Sequence, residues 1–177
     1  MNRGAARPAR RIVVMGVSGC GKSTIGALVA AGLGLPFTDG DSLHPVENIA
    51  KMAAGIPLDD ADRAPWLAIV GRELAASAGG LVVACSALKR SYREAILAQA
   101  PDVVFLHLDG SREVLASRLE GRSGHFMPAA LLDSQLAALE APGACEPAVV
   151  IDISAPVDAL VRDAVVRLQG SALRESA

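Results

Sequence analysis

RIVVMGVSGCGKSTIGALVAAGLG, residues 11–34, runs from an unbroken apolar stretch through a glycine-rich turn into a segment of helical period. The apolar stretch reads as a buried strand. From Lys22 onward, Ile25, Leu28, Val29 and Leu33 recur at helical spacing, and Gly34 is the expected stop. Between strand and helix, GVSGCGKS fills every fixed position of GxxxxGK[ST] in the setting that motif requires. Its glycines let backbone amides curve round phosphate oxygens, and the helix N-terminus adds partial positive charge. Lys22 is placed to reach β and γ phosphates and Ser23 to offer a hydroxyl to Mg2+. The ATP-binding residues expected here are Gly16, Val17, Ser18, Gly19, Cys20, Gly21, Lys22, Ser23 and Thr24. The helix terminus would lower the Cys20 thiol pKa, but a tolerated small residue at an unfixed position is the simpler reading.

Outward from this loop, four more apolar runs follow: LPFTD, LVVACS, VVFLHLD and AVVIDIS. Five strands with helical segments between them read as α/β, and near-continuous apolar strands point to a parallel sheet covered on both faces. A second helix is expected from near Asp62, with Pro65 in its first turn, burying Leu67, Val70 and Leu74 and ending at Gly79 and Gly80. Others should follow Lys89, Ser111, Pro128 and Pro156. Ligands of such sheets gather at the carboxyl ends of the strands. With no linker in view, the 177 residues are expected to form one domain, residues 1–10 being a tail.

Composition narrows the partners. Seventeen Lys and Arg against nineteen Asp and Glu leave a formal charge of -2, which gives no footprint for nucleic acid or a membrane surface. No apolar run approaches the roughly 20 residues needed to cross a bilayer, and the basic start lacks the apolar core of a secretory signal. Three dispersed cysteines without a CxxC pair suggest neither a disulfide framework nor a zinc site, and suit a cytoplasmic location.

A P-loop alone does not separate kinases from GTPases or motors. LVVACS ends in Cys85 and Ser86, so the nearest acids after a strand are Asp39 and Asp41, and no NKxD base-recognition motif is present. Asp39 and Asp41 straddle one glycine; if the strand persists, their side chains share a face. Arg118 and Arg122 lie four apart on one helical face, where they suit a clamp on nucleotide or transferring phosphate. Small-molecule kinases use such parts.

Four blocks now stand in order: GVSGCGKST, DGDSLHPVENIAKMAAGIPLDDADRAPWL, ACSALKRSYRE and RLEGRSGHFMPAALLDSQLAALEAP. Together, over about residues 11–154, they resemble the gluconokinases of the small P-loop type, relatives of the shikimate and nucleoside monophosphate kinases. The resemblance implies a P-loop kinase fold with a five-stranded parallel sheet flanked by helices, a substrate-binding segment (residues 38–79) and a lid (residues 118–130). It implies transfer of the γ-phosphate of ATP to the 6-hydroxyl of D-gluconate. By the same resemblance, Ser23 and Asp39 would serve Mg2+, and Lys22, Asp41 and Arg122 would carry catalysis, Asp41 as base or orienter of the acceptor hydroxyl. Capping is the alternative for Asp41. Arg118 and Arg122 would join the ATP site. Arg63 matches the arginine that grips substrate carboxylate in these relatives; Lys51, Lys89 and Arg90 are further cations for the acid end, with a solvated surface as the alternative. His44 and, in the lid, His125 would hydrogen-bond substrate, whereas His107 reads as a strand residue. Ser86, small and at a strand's carboxyl end, can approach the acceptor. A homodimer is compatible with the family. A same-fold kinase for another small acceptor, such as shikimate or a different sugar acid, is the near alternative, and a nucleotide-dependent regulatory module the remote one.

Overall fold

The computed structural model describes residues 10–121 and 129–171. Strands β1 (Arg10–Met15), β2 (Phe37–Asp39), β3 (Gly80–Ala84), β4 (Val103–Asp109) and β5 (Ala148–Asp152) form one sheet in the order β2-β3-β1-β4-β5, every neighbouring pair parallel. The connecting helices are α1 (Lys22–Leu33), α2 (Val46–Ala53), α3 (Asp60–Ala76), α4 (Arg90–Leu97), α5 (Arg112–Glu120), α6 (Ala129–Ala138) and α7 (Val157–Ser171).

Strand alternation divides the core into two layers. Ile12, Val14, Val82, Leu106 and Leu108 pack on one face with Ile25 and Val29 of α1 and Leu160 of α7. Val13, Met15, Leu81, Val83 and Phe105 pack on the other with Trp66, Leu67, Val70 and Leu74 of α3 and Ile96 of α4. Each such side chain contributes about 1.5–3 kcal/mol by leaving water, which is why β1, β3 and β4 read as unbroken apolar runs. The chain leaves β1 for β2 on one side and leaves β3 for β4 on the other. The crossover direction therefore reverses at the carboxyl ends of β1 and β3, where a crevice opens.

Helix boundaries show where local signals sufficed. Gly34 ends α1 as expected, at φ 67° with its N–H donating to Ala31 O, while Leu35 N–H reaches Ala30 O. The helix expected near Asp62 begins instead at Asp60, capped by Asp59, with Asp59 and Asp62 forming a reciprocal capping box. Pro65 consequently lies inside α3 rather than in its first turn, and α3 stops at Ala76, short of Gly79. Helix α2 adds to the helices expected from the sequence. It turns Val46, Ile49 and Met52 outward and buries Asn48, so its apolar residues give no inward-facing pattern to read.

Candidate active site

The phosphate loop joins β1 to α1 with Gly19 and Gly21 at φ 84° and 93°, in the left-handed region that side chains resist. Gly21 forms the N-terminal boundary of α1, and Lys22 Nζ folds back to donate to Val17 O at 3.2 Å. Beside the loop, a cavity of about 250 Å³ is bounded by Gly19, Gly21, Thr24, Ile25, Arg118 and Val157. Arg118 reaches it from α5 and donates through Nη2 to Ile153 O, just past β5. Cys20 is fully buried, and burial pushes its thiol up despite the nearby Lys22 charge. Complete burial pushes Cys85 up to about 12. Neither thiol is a ready nucleophile at neutral pH.

The two aspartates do not share a strand face as expected. Strand β2 stops at Asp39, and Gly40–Leu43 wind into a 3-10 turn. Gly40 permits this close turn: a Cβ there would stand 2.4 Å from Ala84 O, so only glycine lets the chain press against β3. Its carbonyl accepts from Trp66 Nε1 at 2.8 Å. Asp39 rather than Asp41 caps the turn, Oδ1 accepting from the Asp41 N–H at 3.0 Å, while Oδ2 accepts from Ser23 Oγ at 2.8 Å. One hydroxyl and one carboxylate at the mouth of a phosphate loop fit Mg2+, which takes one or two carboxylates and fills its octahedron with phosphate oxygens and water. Among the described residues no three His, Cys, Asp or Glu side chains gather to hold a metal unaided. The Asp41 side chain is 88 % exposed, with His44 Nε2 4.0 Å away.

A second cavity, of about 450 Å³, opens between α2, α3 and the end of β3. Asp41, His44, Arg63, Trp66 and Ser86 form its polar side; Met52, Ile56, Leu58 and Leu131 form an apolar rim. Ser86 also bridges to the nucleotide side, its carbonyl accepting from Gly16 N–H at 3.3 Å. The next residue, Ala87, holds φ at 43°, an unusual conformation for a side chain with a Cβ. Arg93, fully buried, secures this bend by donating to Ala87 O at 3.0 Å and Leu88 O at 3.2 Å while pairing with Glu146.

Of the four cations expected to meet substrate, the structure brings one to this cavity. Lys51 Nζ sits 2.8 Å from both oxygens of Asp62, Lys89 Nζ 3.1 Å from both oxygens of Asp60, and Arg90 Nε 2.9 Å from Glu94. Lys51 and Lys89 are drawn to the acids at the N-terminus of α3, and Arg90 to the carboxylate one turn along α4. Among the described residues no carboxylate pairs with Arg63, whose guanidinium lies 5.8 Å from the Tyr92 ring centroid. Tyr92 is held there by its hydroxyl, which donates to Asp60 at 2.5 Å.

His44 stacks on Trp66 with ring centroids 4.1 Å apart and planes at 16°. Burial lowers its pKa and Arg63 adds to that, opposed by Asp41. His107 lies in β4, 2 % exposed, and burial lowers its pKa likewise. Arg122 and His125, with most of the expected lid, fall outside the described residues. Asn48 and Gln135 carried no sequence signal. Gln135 of α6 accepts from Ser18 N–H at 2.7 Å and donates to Ser18 Oγ at 3.0 Å, a contact across 117 positions that no local pattern announces.

The family model described as shikimate kinase matches residues 18–141. The gluconokinase of Gluconobacter oxydans (strain 621H) is 48% identical over 163 residues, covering 90% of this chain and 92% of that one. The thermosensitive gluconokinase of Escherichia coli (strain K12) is 49% identical over 147 residues, covering 80% and 78%. The crystal structure of a gluconokinase from Sinorhizobium meliloti 1021 superposes with a TM-score of 0.88 at 48% identity, covering 96% of this chain and 97% of that one. Strand order, phosphate loop and these likenesses agree: the chain belongs to the shikimate kinase family and, within it, to the gluconokinases.

Proposed function

We infer that the protein is an ATP-dependent gluconokinase, converting ATP and D-gluconate to ADP and 6-phospho-D-gluconate. The observation that carries this reading beyond family membership is Arg63. It lines the acceptor cavity together with the exposed Asp41, and among the described residues no carboxylate forms an ion pair with it. A flexible anion with one carboxylate and several hydroxyls suits that pairing: Arg63 binds the acid end through a charge-assisted fork, and His44, Ser86 and Asp41 meet the polyol.

In this reading the loop amides and Lys22 hold the ATP phosphates, with Arg118 at the flank of the loop. Ser23 and Asp39 would hold Mg2+, which supplies charge neutralisation to the phosphates when bound. Asp41 accepts the proton of the acceptor hydroxyl or orients it for in-line attack, and Lys22 offsets charge on the transferring group. Segment 38–79 supplies the acceptor side. Segment 118–130, with Arg122 and His125, is assigned as the lid whose closure excludes water, so that ATP is not hydrolysed before the acceptor binds. The reaction needs ATP, and the site needs neither nucleic acid nor a membrane; among the described residues no helix is long and apolar enough to cross one. We place the protein in the cytoplasm, with homodimer formation as a compatible assembly.

The test is ADP release by purified protein with Mg2+ and ATP, offered gluconate, shikimate, other sugar acids or no acceptor. Gluconate should stimulate release well above the rate without acceptor, because only a bound acceptor hydroxyl is positioned for in-line attack. Equal stimulation by shikimate, or none by any acceptor, would overturn the assignment.

A further inference from the structure

Asn48 is 3 % exposed and lies on the inner face of α2. Its Nδ2 is 2.9 Å from Asp62 O and 3.2 Å from His44 Nδ1. A main-chain carbonyl can only accept, so the Asp62 contact sets which end of the amide faces inward. One hydrogen of that nitrogen serves Asp62 O; the other points at the imidazole. A proton on His44 Nδ1 would then oppose N–H to N–H, so Nδ1 must carry its lone pair and the ring proton must sit on Nε2. The ring has little freedom to escape this arrangement. Trp66 stacks on it, and Trp66 is itself tied through Nε1 to Gly40 O.

The groups facing the ring are Asp41 from the 3-10 turn, Arg63 and Trp66 from α3, and Asn48 from α2. Nε2 to Asp41 Oδ1 is 4.0 Å, too long for a direct hydrogen bond. An oxygen about 2.8 Å from each atom would fit between them, with an angle of roughly 90° at that oxygen. Such an oxygen accepts from Nε2–H and gives its own hydrogen to Asp41. A hydroxyl does both; a carbonyl or ether oxygen does only the first. An imidazolium would instead pair with Asp41 and occupy the carboxylate that the hydroxyl needs.

We propose that Asn48 is a positioning residue that holds His44 as the neutral Nε2–H tautomer, so that His44 and Asp41 read one substrate hydroxyl as donor and acceptor. The identity of that hydroxyl rests on the gluconokinase reading; the tautomer does not. The experiment is a long-range 1H–15N spectrum of the 15N-labelled protein without substrate at pH 7.5, with His44 assigned among the three histidines by its loss in His44→Gln. The expected spectrum shows Nδ1 unprotonated and Nε2 protonated. In Asn48→Ala, folded by circular dichroism, the two nitrogens should move towards the exchange average and the His44 titration towards its ordinary value. KM for gluconate should rise about tenfold, the loss of one hydrogen bond's worth of orientation, with KM for ATP within about twofold. An Nδ1–H tautomer in the unaltered protein overturns the proposal, as does an Asn48→Ala protein with unchanged tautomer and KM. Should Asn48→Ala fail to fold, the unaltered protein's spectrum still decides. Absence of gluconate turnover would sink the functional reading and leave the tautomer to be judged by the spectrum alone.

Discussion

At the scale of single residues, charge is decided by partners rather than by type. Lys51, Lys89, Arg90 and Arg63 look alike in the sequence, yet three are taken up by Asp62, Asp60 and Glu94 and one faces a cavity. The acids that capture Lys51 and Lys89 lie within the same block as Arg63, and no spacing rule says which cation each acid will choose. Removing Arg63 therefore has a specific signature. Arg63→Met should raise KM for gluconate about 10- to 100-fold, the worth of hydrogen bonds to a charged group, and leave KM for ATP within about twofold. Steady-state kinetics with each substrate varied checks this, and an unchanged gluconate KM would remove Arg63 from the site. Gly40 shows the opposite case. The spacing Asp39-Gly40-Asp41 is plain in the sequence, but its meaning, a backbone so close to β3 that a Cβ on Gly40 would stand 2.4 Å from Ala84 O, belongs to the packed sheet.

At the scale of elements, the glycine loop with its strand and helix was legible because its signals are local: apolar run, φ-permissive glycines, helical period, glycine stop. The acceptor segment was less so. Asp59 and Asp62 announce a capping box only once the helix start is known, and Pro65 drew the expected start of α3 too far along the chain. The box does two jobs, since Asp62 also receives Lys51 from α2 and so ties the two acceptor-side helices together. Asp59→Ala should lower stability by about 1 kcal/mol, a fall in Tm of roughly 2–4 °C for a chain of this size. Thermal unfolding followed by circular dichroism reads it, and an unchanged Tm would mean that the cap contributes nothing to α3.

At the scale of the whole molecule, the bend that follows Ser86 is tied to a segment far from it in sequence. Arg93, 1 % exposed, pairs with Glu146 through Nε and Nη2, at 2.5 and 3.0 Å, and spends its remaining nitrogen on the Ala87 and Leu88 carbonyls. This fixes the bend carrying Ser86 against the segment before β5. Arg93→Met leaves Glu146 without its ion-pair partner and takes a donor from the Ala87 carbonyl, while Leu88 O keeps the Glu140 N–H, and should cost about 3–5 kcal/mol, measured by urea unfolding. The same pair sets a pH dependence. Arg93 holds the Glu146 carboxyl below its ordinary value, so the unfolded chain binds more protons there. That share of stability is present above the ordinary carboxylate range and is lost as pH falls through the depressed folded value. The acid limb of the stability profile should flatten in Arg93→Met; an unaltered limb would show that the pair is not coupled to folding.

By itself the sequence determined the sheet of five strands, the phosphate loop and the family, because strand burial, glycine conformation and helix period act over a few residues and leave their mark in order. Only the tertiary structure decided which cation stays available, that Asp39 turns to Ser23 while Asp41 stays exposed, and that Asn48 and Gln135 touch the site at all. Those outcomes depend on contacts between elements, where one carboxylate or one amide must choose among partners. The choice is made by packing geometry that no short stretch of chain contains.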